Sequence, residues 1–272
     1  MLQNYVFIYK KLVALRFIRA MEKLTAIIPV GNEAHNIRQV LESVSFADEI
    51  MVVDSMSTDD TVAIAKEYTD FIVQREYQYS ASQKNWAIPQ ATHDWILLVD
   101  ADERVTPELQ KEIKSILAAN PNPDIVAYWI YRMNHFMGNR IRFSGWQNDK
   151  VIRFFKKDKC HYEDKMVHAE IVADGKVGFL NNKFHHNTYT TLNEHVTKLN
   201  RYAAWQARDY DKTTNRLTPF HFILKPIWGF LKHYILQMGF RDGIPGVMIS
   251  YLHAYAIILR YSKLWLYRRG LQ

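Results

Sequence analysis

The stretch WILLVDADE, residues 95–103, decides the fold. Five apolar residues run without a break into a cluster of carboxylates. A strand with one face in water alternates apolar and polar residues; an unbroken apolar run is covered on both faces, as in the parallel sheets of α/β proteins. Working outward, the same kind of run occurs at Leu24–Val30, at Glu49–Asp54 and at residues 70–74. Helical patterns lie between these runs, at residues 33–44, at 59–68 with Thr58 as the expected N-cap, and at 80–90. Strands and helices alternating in this way predict a parallel sheet. A helix over 106–118 follows, with Pro107 in its first turn and Pro121-Asn122-Pro123 to end it. The pattern then shifts to short strands at 125–133, 140–144 and 151–156, a mixed or antiparallel region, and to a long amphipathic helix, Leu192–Asp211. The expected fold is α/β, a mixed sheet with helices on both faces, followed by a C-terminal amphipathic helical segment.

Composition narrows the function classes. The chain has 272 residues, 48% hydrophobic and 23% charged, which excludes disordered and fibrous proteins. A single cysteine, Cys160, excludes an intramolecular disulfide framework and a cysteine-based zinc site, and fits a reducing compartment. The net charge of +7 is segregated: residues 1–20 carry +4 and residues 217–272 carry +6, which leaves −3 for residues 21–216. The C-terminal segment also holds 11 of the 37 aromatic residues. Basic and aromatic residues together, with one acid, make the composition of a surface lying in a membrane interface; a helical hairpin packed on the body is the other reading. The longest uncharged run, 17 residues over 243–259, falls short of the roughly 20 apolar residues a spanning helix needs. Residues 1–20 lack a small-residue cleavage site and make a poor signal peptide; they read as a short amphipathic anchor, or translation starts at Met21. The expected organisation is an N-terminal extension over 1–20, a catalytic domain over 21–212 and a basic aromatic segment over 213–272, with Thr213-Thr214-Asn215 as hinge.

Ligands of open parallel sheets bind beyond the carboxyl ends of the strands. Three polar clusters fall there: Pro29 to Glu33, Asp54 to Asp59, and Asp100 to Glu103. Each alone reads as a helix cap or a turn, but three at successive strand ends point to one site. Asp100 and Asp102 are one residue apart, and residues i and i+2 of an extended chain face the same way. Two such carboxylates suit a hard divalent cation, which in turn grips a diphosphate. Neither GxxxxGK[ST] nor GxGxxG occurs, which argues against a glycine phosphate cradle and a dinucleotide oxidoreductase.

The runs TAIIPVGNEAHNI (25–37), VVDSMSTDDT (52–61), SASQKNWAI (80–88) and LLVDADE (97–103), in this order and spacing, resemble the family 2 inverting glycosyltransferases, which have the GT-A fold. The later GWQNDKVIRFF (145–155), MVHAEI (166–171) and HHNTYTTLNEHVTKLNRYAAWQA (185–207) are similar to the lipopolysaccharide-core β-1,4-glucosyltransferase branch. The resemblance implies a UDP-sugar donor, Mg2+ or Mn2+, and a lipid-linked saccharide acceptor met at the anionic inner face of the cytoplasmic membrane. It also implies roles. Pro29 and Glu33 line the nucleotide pocket, Asp54 bonds uracil or ribose with Ser57 nearby, and Lys84 approaches the base or diphosphate. Asp100 contacts ribose or donor sugar, and Asp102 ligates the metal.

An inverting transfer also needs a base to take the acceptor's proton. Glu170, Asp164 and Glu163 are the candidates, because the branch's Val-His-Glu reads Val167-His168-Ala169-Glu170 here. His168 is expected to orient the site, and His185 and His186 either complete the metal sphere or form a structural pair. Trp146 and Arg153 are candidates for a sugar platform and a phosphate clamp. A polyprenyl-phosphate sugar transferase and a non-catalytic protein binding RNA or anionic lipid are the competing classes. The acidic sheet edge speaks against nucleic acid.

Overall fold

The computed structural model describes residues 21–119, 124–166, 169–189 and 191–271. The expected anchor over 1–20, the Pro121-Asn122-Pro123 terminator and His168 lie outside the described residues. The first half alternates as read: β1 (Leu24–Val30), α1 (Ile37–Ser43), β2 (Glu49–Asp54), α2 (Thr61–Ala65), β3 (Ile72–Gln74), α3 (Ser80–Ala87) and β4 (Trp95–Leu98). It continues with β5 (Glu103–Val105), α4 (Pro107–Ala118), β6 (Ile125–Phe136), β7 (Asn139–Arg140), β8 (Lys150–Lys156), β9 (Cys160–Tyr162), β10 (Ile171–Ala173) and β11 (Lys176–Tyr189). α5 (Leu192–Asp211), α6 (Pro219–Phe222), α7 (Leu224–Leu231) and α8 (Ile244–Tyr267) complete the described chain.

The main sheet runs β3-β2-β1-β4-β8-β6-β11-β5. β1 to β4 are parallel, β8 is antiparallel to β4 and β6, and β11 is parallel to β6. β2 and β3 lie on one side of β1 and β4 on the other, so the direction of winding reverses between β1 and β4. This is a topological switch point, where such sheets take ligands. The continuous apolar runs are buried on both faces. Leu24, Ile28, Leu97 and Phe154 face one layer, and Ile27, Val53, Ile96 and Phe155 the other.

Several local expectations shift for tertiary reasons. The N-cap of α2 is Asp60 rather than Thr58; the neighbouring Asp59 carboxylate takes the Thr61 N–H (3.1 Å) and hydroxyl (2.5 Å). The strand expected over 140–144 reduces to Asn139–Arg140. Asp242, from the C-terminal segment, accepts the N–H groups of Arg142 and Phe143 (both 3.0 Å) and the Ser144 hydroxyl (2.7 Å), so those donors are withdrawn from any ladder. α5 occupies its expected span because Thr191 and Glu194 close a capping box at its first turn.

The C-terminal helices pack on the body. α8 lies along α5 through Ala207, Ile257, Tyr261 and Leu264. It crosses α7 closely because Gly229 has no side chain: a Cβ there would sit 2.6 Å from the Ile257 Cδ1. The outer side of α6 and α7 is different. Phe220, Ile223, Leu224, Ile227 and Trp228 are each at least half exposed and recur at helical spacing. Among the described residues, no helix is long and apolar enough to cross a membrane.

Candidate active site

Two clefts adjoin at the carboxyl ends of β1, β2 and β4. The first, about 390 Å³, is lined by Pro29, Glu33, Asp100 and Asp102 from the sheet edge and by Lys198 and Arg201 from α5. The second, about 410 Å³, is lined by Trp129 on β6, by β8, by Glu170 and by Trp205 on α5. Tyr77, Ser80, Lys84, Asp100 and Tyr202 border both.

Two loops at the strand ends interlock to shape the first cleft. The left-handed Asn32 (φ 55°), a residue type that tolerates this region, donates its N–H to the Ser57 hydroxyl and accepts the Thr58 N–H, both at 2.8 Å. Glu33 N–H reaches the Thr61 hydroxyl at 2.8 Å. Burial pushes the Glu33 carboxyl up, against the Asn36 amide that bonds it, and the Asp102 charge adds to the rise. Of the expected nucleotide residues, Pro29, Glu33, Lys84 and Asp100 line the cleft. Asp54 and Ser57 stand behind it: Asp54 is fully buried and accepts the Ser57 N–H (3.1 Å) and the Gln74 amide (2.8 Å).

Asp100 and Asp102 depart from the expected i, i+2 geometry. β4 ends at Leu98, the two carboxylates sit in the turn before β5, and they go separate ways. Asp100 pairs with Lys84 (2.8 Å) and with Arg153. Burial raises its pKa, but the Arg153 and Lys84 charges outweigh that and hold the carboxyl well below the usual range. Asp102 faces His186 Nε2 at 3.5 Å; burial opposes its ionised form, and the His186 contact prevails and lowers its pKa.

A chain of polar contacts links the two aspartates, and its Arg132, Asp149 and Arg153 line the second cleft. Arg153 joins Asp100 to the fully buried Glu103 (3.3 Å) and Arg132 takes the other Glu103 oxygen (3.2 Å). Arg132 then grips Asp149 with two bonds, at 2.9 and 2.6 Å. Asn134 donates to Asp149 (2.8 Å), and its carbonyl lies 2.6 Å from His186 Nδ1. Buried charges persist only when paired in this way. Arg153, the expected phosphate clamp, lines the second cleft, and its guanidinium bonds Asp100, Glu103 and the Tyr162 hydroxyl (2.7 Å). The sugar-platform expectation for Trp146 is corrected. It packs edge-on against Phe136 in an apolar cluster with Ile141 and Ile249, away from both clefts.

The fit of a divalent cation is testable on this geometry. Neighbouring strand residues point to opposite faces, so His185 stacks on His135 (4.1 Å) while His186 turns to Asp102. Asp149 orients the Asn134 amide so that its oxygen accepts from His186 Nδ1–H. With Nδ1 engaged by Asn134, Nε2 is the ring nitrogen left to face Asp102. Among the described residues no group of three or more His, Cys, Asp or Glu could hold a metal unaided. Asp102 and His186 fit the mode in which the protein gives one or two ligands and substrate phosphates and water the rest.

The three base candidates separate. Glu170 lines the second cleft. Glu163 pairs with Lys165 (2.8 Å) and accepts the Glu170 N–H (3.1 Å), and Asp164 accepts the Tyr79 hydroxyl (2.5 Å); neither lines a cleft. Sequence reading had not singled out Lys198, Arg201, Tyr202 and Trp205. Their spacing of three and four residues on a polar-aromatic face of α5 was the available signal.

The model described as Glycosyl transferase family 2 matches residues 25–173. An uncharacterized glycosyltransferase of Rickettsia felis is 34% identical over 90% of this chain and 90% of that protein. The chain belongs to glycosyltransferase family 2, and its fold is GT-A-like. More particularly, it is similar to the lipopolysaccharide core biosynthesis glycosyltransferase LpsC of Rhizobium meliloti, 27% identical over 89% of this chain and 92% of that protein. A crystal structure of S. aureus TarS 1–349 in complex with UDP-GlcNAc matches at 14% identity, with a TM-score of 0.46, over 91% of this chain and 92% of that chain. Family membership removes the non-catalytic RNA- or lipid-binding reading.

Proposed function

We propose that the chain is an inverting glycosyltransferase that moves glucose from a UDP-sugar to a hydroxyl of a lipid-linked saccharide of the lipopolysaccharide inner core. The observation that carries this reading is the pair of clefts meeting at Asp100 and Lys84, beside a carboxylate, Glu170, on the second wall. In this reading the first, nucleotide-side cleft takes UDP-glucose, with Pro29 and Glu33 along the nucleotide, Asp54 and Ser57 supporting the loop, and Lys84 and Asp100 at the sugar and diphosphate. Glu170 removes the acceptor proton as the hydroxyl attacks the anomeric carbon from the face opposite the diphosphate. Asp102 and His186 would hold Mg2+ or Mn2+, which when bound stabilises the charge developing on the leaving diphosphate. Lys198 and Arg201 add fixed positive charge on the α5 side. A panel of UDP-sugars with Mn2+ tests the donor. UDP release is expected to be fastest from UDP-glucose, and equal release from all, or from none, sinks the assignment.

The acceptor's lipid explains the exposed stripe of α6 and α7. We read it as the surface that rests in the headgroup region of the cytoplasmic membrane's inner face, with the exposed Lys232 of the same segment adding attraction to anionic lipid. The double variant Ile227→Ser, Trp228→Ser changes only outward side chains. It should sediment with phosphatidylglycerol-containing vesicles about tenfold less well than wild type at an unchanged melting temperature. Undiminished sedimentation would remove the stripe from the membrane contact.

A further inference from the structure

We infer that the Tyr202–Trp205 pair on α5 is the platform on which the acceptor's sugar ring stacks, and that the second cleft is thereby specific for a pyranose bound face-on. The inference rests on the glycosyltransferase reading for the identity of the reaction, and on α5 itself for the site.

The two rings are stacked, with centroids 5.6 Å apart and planes 29° from parallel. They are half-buried in the wall of a cleft rather than in the core. The Arg201 guanidinium lies over both rings, 5.6 Å from the Trp205 centroid and 6.0 Å from that of Tyr202, which keeps a hydrogen-bond donor beside the pair. Packing does not account for the rings. The packing of α5 is done by its other side, where Ala203 and Ala207 are buried and Gln206 and Tyr210 bind Arg260 at 2.6 and 3.2 Å. In the same cleft, Trp129 carries Lys150 over its ring at 4.8 Å. A cleft lined by three aromatic rings with Arg201 and Lys150 beside them suits a ring with one apolar C–H face and a rim of hydroxyls. Tyr202 also borders the nucleotide-side cleft, so a ring stacked there lies beside the donor sugar.

The test uses the full chain, UDP-glucose, and lipopolysaccharide extracted from a strain lacking this protein. Trp205→Leu keeps an apolar side chain without a π face. It should raise KM for the lipopolysaccharide about tenfold or more and leave KM for UDP-glucose within about twofold, and Trp205→Phe should recover most of the loss. Calorimetric titration of the core oligosaccharide without donor should show the same order of affinities. A Trp205→Leu protein with unchanged acceptor KM and affinity, or one in which both KM values rise together, overturns the platform. Failure of the donor reading looks different: the wild type itself releases no UDP, while the oligosaccharide titration still decides the platform.

Discussion

Replacing Asp102 by alanine should lower sugar transfer by about a hundredfold or more, with the larger part of the loss in kcat. Asp102 is the carboxylate with a free approach from the nucleotide-side cleft; Asp100 is committed to Lys84 and Arg153. With the metal held as proposed, the change would leave His186 as the single protein ligand and would weaken the hold on the cation that offsets charge on the leaving diphosphate. His186→Ala should act in the same direction but more weakly, by about ten- to a hundredfold, as partner groups around a metal do. Raising the Mn2+ concentration should restore part of the His186→Ala loss and little of the Asp102→Ala loss. Steady-state kinetics over a Mn2+ titration reads both. Equal activity of Asp102→Ala and wild type would dismiss a metal-assisted transfer at this turn.

Glu170→Gln should cost about three orders of magnitude in kcat, the usual worth of a positioned general base. The change keeps shape and removes proton affinity, so KM for the UDP-sugar should stay near that of wild type. Asp164→Asn and Glu163→Gln should each retain activity within about tenfold, since one carboxylate is held by Tyr79 and the other by Lys165 and the Glu170 amide. If Asp164→Asn is the inactive protein and Glu170→Gln the active one, the roles are reversed.

Much of this site was legible because apolar strands must end somewhere, and their ends carry the polar residues. β1, β2 and β4 were read from continuous apolar runs, and the clusters at Pro29, Asp54 and Asp100 followed. What sequence could not give was the direction of side chains in turns and in strands without alternation. Asp100 and Asp102 seemed parallel because WILLVD reads as extended, but the chain leaves β4 at Leu98. β11 escaped notice because KVGFLNNKFHHNTY has no period of two. Its pairing with β6 shifts register between Phe179 and Lys183, and a bulged strand loses its alternation. With β11 unseen, His186 had no fixed place beside Asp102, and the contacts through Glu103, Arg132 and Asn134 were out of reach. The segment over 140–144 looked like a strand until Asp242, 98 to 100 residues away, captured its N–H groups. No local pattern reports so distant a partner.

The shared border of the two clefts has a consequence for how such a protein can change over time. One wall is made by β1, β2 and β4 and their interlocked loops; the other by β6, β8, the segment around Glu170 and the aromatic face of α5. Among the described residues, only Tyr77, Ser80, Lys84, Asp100 and Tyr202 belong to both. If the first cleft holds the nucleotide-sugar and the second the acceptor, as proposed, substitutions at Trp129, Lys150 or Trp205 would retune which saccharide is accepted while the other wall stays as it is. A change of linkage would then need a few substitutions on one wall and none on the other.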